Sequence, residues 1–165
     1  MKYEMTPDYH RAKGEAISLL QKFGLEKPPV NPMEIAQRLG AKVSFVEFEK
    51  KLNNISGFYD FEEDTIFVNM DEYPLRQTFT IAHELGHRIL HAEWAKSSDY
   101  KVLLREDTGT TDSKEAEANT FAANLLVPRF MLDKYWEGLS ATQLSELFAV
   151  SVPVIKNRIS FEYGA

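Results

Sequence analysis

The sequence contains no cysteine, only four histidines and no run of 18 apolar residues. Without cysteine the chain cannot form a disulfide, a thiolate zinc site or a cysteine nucleophile. Without a long apolar run we expect no transmembrane helix, and residues 1–4 lead into polar sequence rather than into a signal peptide. We therefore predict a cytoplasmic protein that does not bind membranes.

Positive charge is also scarce, because 19 Lys and Arg stand against 25 Asp and Glu and the net charge is −6. Such a chain is not expected to bind nucleic acid or anionic lipid through broad electrostatic attraction. Its 165 residues, 44% of them hydrophobic, are enough for one domain with a real core. We place this domain at residues 1–138, and a C-terminal helical appendage packed on it at residues 139–165.

The spacing of apolar residues predicts both helices and strands. The predicted helices are Asp8 to Phe23, Met33 to Leu39, Pro74 to Glu93 and Lys114 to Val127. Three β-rich segments lie between residues 43 and 69, and the last two are expected to form a hairpin. The fold class is therefore α+β, with a small, mainly antiparallel three-stranded sheet packed on the helix that begins at Pro74. From Trp94 to Asp112 the periodicity is lost, and we predict a loop that covers the site described next.

The central motif is His83-Glu84-Leu85-Gly86-His87, an H-E-x-x-H string inside a predicted helix. Residues four apart share one helical face at ~5–6 Å, so His83 and His87 can bind one metal ion, with Glu84 beside them as a general base. Zinc suits two imidazoles and requires a third protein ligand. Gly86 weakens the helix and so indicates that another element packs closely between the histidines. The alternative is a core helix with two hydrogen-bonded histidines.

Two acidic residues of the next helix are candidates for the third ligand, and the helical geometry leaves both open. Glu115 has Asn119 one turn later as a hydrogen-bonding neighbour, but Asp112 and Glu115 also have the spacing of a capping box. Glu117 lies on the other flank of the buried stripe. His91 is one turn beyond His87, and three such histidines span ~12 Å, too far for one ion. His91 is therefore predicted to contact a ligand, the substrate or a neighbouring helix.

These blocks resemble the ImmA/IrrE family of zinc metallopeptidase-like proteins. The resemblance rests on His83 to His91 and on the E-x-E-A-N-x-F-A-A-x-L-L-x-P pattern from Glu115 to Pro128. It implies that His83, His87 and Glu115 bind zinc and that Glu84 is the catalytic base. It also implies a partner, because members are similar to regulators that cleave or act on a helix-turn-helix transcriptional repressor. The predicted function is a zinc-dependent endopeptidase with a specific protein substrate.

Two alternatives come from other functional classes. The segment from Gln143 to Ile159 is similar to a helix-turn-helix, which would make the chain a DNA-binding regulator. From Leu139 onward, however, basic and acidic residues balance: Lys156 and Arg158 against Glu146 and Glu162. Direct nucleic-acid binding is therefore not expected. The second alternative is a metal-stabilised module that binds a regulator without catalysis, against which Glu84 argues.

Three further points stay open in the sequence. The site chemistry does not distinguish zinc from manganese or iron. An extended substrate could be held by strand addition at Thr65 to Asn69. The sequence assigns no additional oxyanion donor, for which His91 and Tyr100 are candidates.

Overall fold

The computed structural model describes residues 6–50, 55–97 and 113–165, which contain eight helices and three strands. Helices α1 to α4 are Tyr9–Lys22, Pro32–Arg38, Pro74–Leu90 and Ala92–Ala95, and α5 to α8 are Ser113–Leu126, Arg129–Leu132, Ala141–Phe148 and Val152–Tyr163. Strands β1, β2 and β3 are Lys42–Val46, Gly57–Asp60 and Thr65–Asn69. The predicted α+β class is confirmed. Within these ranges no helix has both the length and the apolar composition that a membrane span requires.

The first two helices begin at side-chain caps. Asp8 accepts a hydrogen bond from the backbone N–H of Arg11 at 3.0 Å, and Asn31 accepts one from that of Met33 at 3.1 Å. Such caps satisfy N–H groups that have no partner inside the helix. Helix α1 then buries one apolar face, made of Ala12, Ala16, Leu19 and Leu20.

The sheet has the strand order β1-β3-β2, with β3 in the centre. Strands β2 and β3 form the predicted antiparallel hairpin, whereas β1 runs parallel to β3. The sheet is therefore mixed, although mainly antiparallel pairing was predicted. The reason is that the chain between β1 and β2 is long enough to carry β2 to the far side of β3. Since β3 is paired on both edges, the predicted strand addition at Thr65 to Asn69 is wrong.

Helix α3 packs against the sheet through two close contacts. A Cβ atom at Gly57 of β2 would lie 2.5 Å from the carbonyl oxygen of Phe67 and 2.6 Å from Cγ2 of Thr80. Near the C-terminal end of α3, Arg88 forms a two-pronged ion pair with Asp64 at 2.7 and 3.0 Å. Asp64 is the last residue of the hairpin turn, so this pair fixes the hairpin to the C-terminal half of the helix.

The C-terminal helices α7 and α8 belong to the same apolar core as the rest of the described chain. Leu144, Phe148 and Ile155 are fully buried in it. The buried Arg158 side chain donates to the carbonyl oxygen of Val127 at 3.0 Å and to Glu162 at 2.9 Å. These contacts hold α8 against the end of α5. The division of the chain at residue 138 stays a prediction.

Candidate metal centre

The two histidines of the H-E-x-x-H string lie side by side on α3. Pro74 occupies the first turn, where its missing N–H costs no hydrogen bond, and the helix ends at Leu90, three residues earlier than predicted. The ring centroids of His83 and His87 are 4.8 Å apart, and the rings are nearly perpendicular. One face of α3 therefore offers two imidazole nitrogens to the same point in space.

Gly86 lets α5 come close to this face. A Cβ atom on Gly86 would lie 3.0 Å from Cδ1 of Phe121 and 3.3 Å from Cα of Ala118. The sequence-based expectation that another element packs between the two histidines is confirmed. The close approach matters because α5 carries Glu115 one turn before Ala118.

Glu115 contacts both histidine rings. Its Oε2 lies 3.1 Å from Nε2 of His83, and its Oε1 lies 2.7 Å from Nε2 of His87. One ligand atom from each of the three residues lies within 4.8 Å of the others. The side chains of His83 and Glu115 keep 15% and 29% of their surface exposed, so the cluster is open on one side. Two imidazoles and one carboxylate at a partly exposed site could hold a metal ion.

The remaining nitrogen of each histidine ring has its own partner. Nδ1 of His83 lies 2.8 Å from Oδ1 of Asn119, and Nδ1 of His87 lies 2.9 Å from Nδ1 of His91. Both Nε2 atoms therefore face Glu115. Glu117, the other candidate for the third ligand, turns away to Nε2 of His91 at 2.8 Å. The roles of these residues stay predictions, but the structure brings together the set in which Glu115 is the third ligand.

The charges of the cluster already favour a cation. Burial lowers the pKa of His83, but the hydrogen bond to Glu115 and the negative charge of Glu84 outweigh it and raise that pKa to about 8. Burial lowers the pKa of His87 to about 4, and the charges of His83 and His91 act in the same direction. Burial opposes ionisation of Glu115, yet its hydrogen bonds with both rings hold its pKa well below the usual range. A divalent ion would replace the proton that this cluster otherwise holds.

Glu84 follows His83 in α3 and is buried, with 6% of its surface exposed. Its negative charge raises the pKa of the neighbouring His83 ring. The role of Glu84 as a general base stays a prediction.

Sequence reasoning missed Trp94. Its ring centroid lies 5.3 Å from that of His87 and 6.1 Å from that of His91, and the ammonium group of Lys114 lies 5.2 Å from the centre of the indole. The loss of apolar periodicity places Trp94 at the start of the predicted loop. The available signal was its position seven residues after His87, which is two helical turns and thus the same face. Most of the predicted covering loop, including Tyr100, lies outside the described residues.

Comparison with known proteins places the chain in a family. The model of the Peptidase_M78 family, described as the IrrE N-terminal-like domain, matches residues 36–160. The chain is 30% identical over 107 residues to "Uncharacterized immunity region protein 2" of Bacillus phage phi105, which covers 64% of this chain and 63% of that protein. It is also 30% identical over 105 residues to "Metallopeptidase ImmA" of Bacillus subtilis strain 168, covering 62% and 60%.

Among solved structures, a "Mycobacterium tuberculosis transcriptional regulator" has a similar fold, with a TM-score of 0.65 at 19% identity. The match covers 92% of this chain and 46% of that one. The chain thus matches less than two thirds of the length of each of these relatives. Because the family model spans well over half of the sequence, the chain belongs to the Peptidase_M78 family of IrrE N-terminal-like domains.

Proposed function

We propose that the chain is a zinc-dependent endopeptidase in which His83, His87 and Glu115 hold the metal and Glu84 is the catalytic base. The observation that carries the proposal is the convergence of three ligand atoms within 4.8 Å at a partly exposed site. A relative named as a metallopeptidase supports the same chemistry. A purely structural site would need neither the open side nor the adjacent carboxylate.

The chemistry follows from the groups around the site. A zinc ion bound there supplies a Lewis acid that polarises the scissile carbonyl and lowers the pKa of a water towards ~7. Glu84 accepts the proton from the attacking water and passes it to the nitrogen of the leaving amine. Asn119 accepts a hydrogen bond from Nδ1–H of His83, which leaves Nε2 of that ring available as a ligand.

The substrate that we propose is a specific partner protein, namely a transcriptional repressor of the helix-turn-helix type. A relative named for a phage immunity region supports a regulatory role rather than general protein digestion. Charge supports it as well, because a chain with a net charge of −6 complements the basic surface of a DNA-binding protein.

The DNA-binding alternative is disfavoured by one side chain. Arg158 is one of two basic residues in α8, and its guanidinium group is buried against the carbonyl oxygen of Val127 and the carboxylate of Glu162. Lys156 is then the one exposed basic residue of this helix. Binding to a DNA duplex requires several phosphate contacts, which α8 does not offer.

The decisive experiment compares the zinc-loaded wild type with Glu84→Gln and with the double variant His83→Ala, His87→Ala. Each protein is incubated with a helix-turn-helix repressor encoded beside the chain's own gene, and the products are read by intact mass spectrometry. We expect a discrete cut with the wild type. With Glu84→Gln we expect about one bound zinc but a rate lower by about 10²–10⁴-fold. The double variant should lose both the metal and the activity.

A matched control is Glu93→Gln, which removes an exposed carboxylate just beyond α3 and should leave both readouts unchanged. Cleavage at the wild-type rate by Glu84→Gln would remove Glu84 from the mechanism. If the wild type binds the repressor and zinc but cuts no bond, the non-catalytic binding module is the correct function.

A further inference from the structure

A chain of three hydrogen bonds leads from the metal centre to the start of helix α1. Nδ1 of His87 contacts Nδ1 of His91 at 2.9 Å, and Nε2 of His91 contacts Oε1 of Glu117 at 2.8 Å. The other carboxylate oxygen of Glu117 accepts the backbone N–H of Asp8, also at 2.8 Å. The side chains of His87, His91 and Glu117 are 1%, 5% and 14% exposed, so the chain lies away from solvent.

Only one placement of protons satisfies these contacts when His87 acts as a ligand. A ligating Nε2 must offer a lone pair, so the proton of His87 is on Nδ1. That N–H donates to Nδ1 of His91, which must then be unprotonated. His91 therefore carries its proton on Nε2 and donates to Glu117, whose carboxylate accepts hydrogen bonds at both oxygens. Each N–H donor along this chain of hydrogen bonds therefore has one acceptor.

We propose that His91 and Glu117 are positioning residues, which fix the tautomer and the ring orientation of His87 and thereby set how tightly the centre holds its metal. This inference rests on the metal-binding function proposed above. Carboxylate-backed partners of this kind orient a ligating histidine and increase its basicity. His83 has a weaker counterpart, because its partner Asn119 is a neutral amide on an exposed part of α5.

The same contacts exclude other roles for His91. Both of its ring nitrogens are used, one by His87 and one by Glu117. The residue is buried, with 7% of its surface exposed, and its ring packs beside that of Trp94. His91 therefore acts through His87 and touches neither the metal nor a bound peptide.

The test measures zinc affinity rather than activity. Metal-free wild type, His91→Phe, His91→Asn and Glu117→Gln compete for zinc with a chromophoric chelator, and Glu93→Gln is the matched surface control. His91→Phe keeps a ring beside Trp94 but offers no acceptor, and we expect a dissociation constant about 10–100-fold higher. The side-chain oxygen of Asn can replace the ring nitrogen that accepts the hydrogen bond from His87. The logarithm of the zinc dissociation constant of His91→Asn should therefore lie at least halfway back from the His91→Phe value to that of the wild type. Glu93→Gln should match the wild type.

A second readout separates positioning from general stability. Long-range ¹H–¹⁵N spectra of the zinc-loaded wild type should show His87 protonated at Nδ1 and His91 protonated at Nε2. A proton on Nδ1 of His91 would overturn the inference, as would a His91→Phe affinity within about twofold of the wild type. Thermal unfolding of the metal-free variants shows whether they fold. If His91→Phe does not fold, the wild-type spectra and the zinc affinity of His91→Asn test the inference instead. A wild type that binds no zinc overturns the proposed function itself and this inference with it.

Discussion

Replacing Gly86 with alanine should weaken metal binding even though alanine is the better helix former. The added methyl group would stand 3.0 Å from Phe121 and 3.3 Å from the backbone of Ala118 on α5. At such distances the neighbour must give way by a few tenths of an ångström. Glu115 lies on the same helix, so its carboxylate would move away from His83 and His87 by a similar amount.

Two opposing free-energy contributions determine the stability of Gly86→Ala. Alanine gains about 1 kcal/mol over glycine in a helix interior. Overpacking a tight interface costs about 1–3 kcal/mol. The free energy of unfolding of metal-free Gly86→Ala should therefore fall by about 0–2 kcal/mol. Metal sites tolerate distance errors of about 0.2 Å, so zinc affinity should fall about tenfold, which corresponds to about 1.4 kcal/mol.

The chain offers a matched control in Gly14→Ala. Gly14 lies inside α1, and a Cβ atom there would meet nothing within 4 Å. This variant should gain the full ~1 kcal/mol of helix propensity and should bind zinc like the wild type. Urea denaturation of the metal-free proteins gives the stabilities, and chelator competition gives the affinities. If Gly86→Ala is stabilised as much as Gly14→Ala and keeps wild-type zinc affinity, the close approach of α5 does not determine the geometry of the site.

Three further predictions concern the scaffold. Gly57→Ala should lower the free energy of unfolding by about 3 kcal/mol in urea denaturation, because its methyl group would meet a backbone oxygen that cannot rotate away. The hydrogen bonds from Arg88 lower the pKa of Asp64, so this residue contributes stability above its unfolded pKa of ~4, and the contribution is lost as the pH falls through the lowered value. The difference in Tm between the wild type and Asp64→Asn should therefore shrink below about pH 4, and a constant difference would contradict this. Arg158→Leu leaves a buried carboxylate with one partner fewer and should cost about 3 kcal/mol by urea denaturation, without changing zinc affinity.

The parts of the fold that follow from local patterns could be predicted. Helix α3 was recognisable from its apolar periodicity and from Pro74, and the hairpin from its polar turn. Gly86 also predicted the close contact with α5, because a glycine inside a helix often marks a position where another element packs closely. These features depend on residues that are neighbours in sequence or lie one helical turn apart.

The parts that depend on distant pairing could not be predicted. Strand β1 could have paired with either edge of the hairpin, and its residues do not indicate that it runs parallel to β3. Helical geometry alone could not choose between Glu115 and Glu117, because the choice depends on how α5 is rotated against α3 and α1; only the family resemblance indicated Glu115. Only the fold shows that Glu117 faces His91 and the first residues of α1 instead of the ligand cluster.

The two tryptophans give the protein separate optical reporters. Trp94 stands within about one ring diameter of His87, whereas Trp136 is stacked on Tyr163 of the C-terminal helix at 4.1 Å. In a Trp136→Phe background the indole emission would follow events at the metal centre alone. In a Trp94→Phe background it would follow detachment of the C-terminal helix. Tryptophan fluorescence could thus follow the rate of metal binding separately from the rate at which the C-terminal helix detaches.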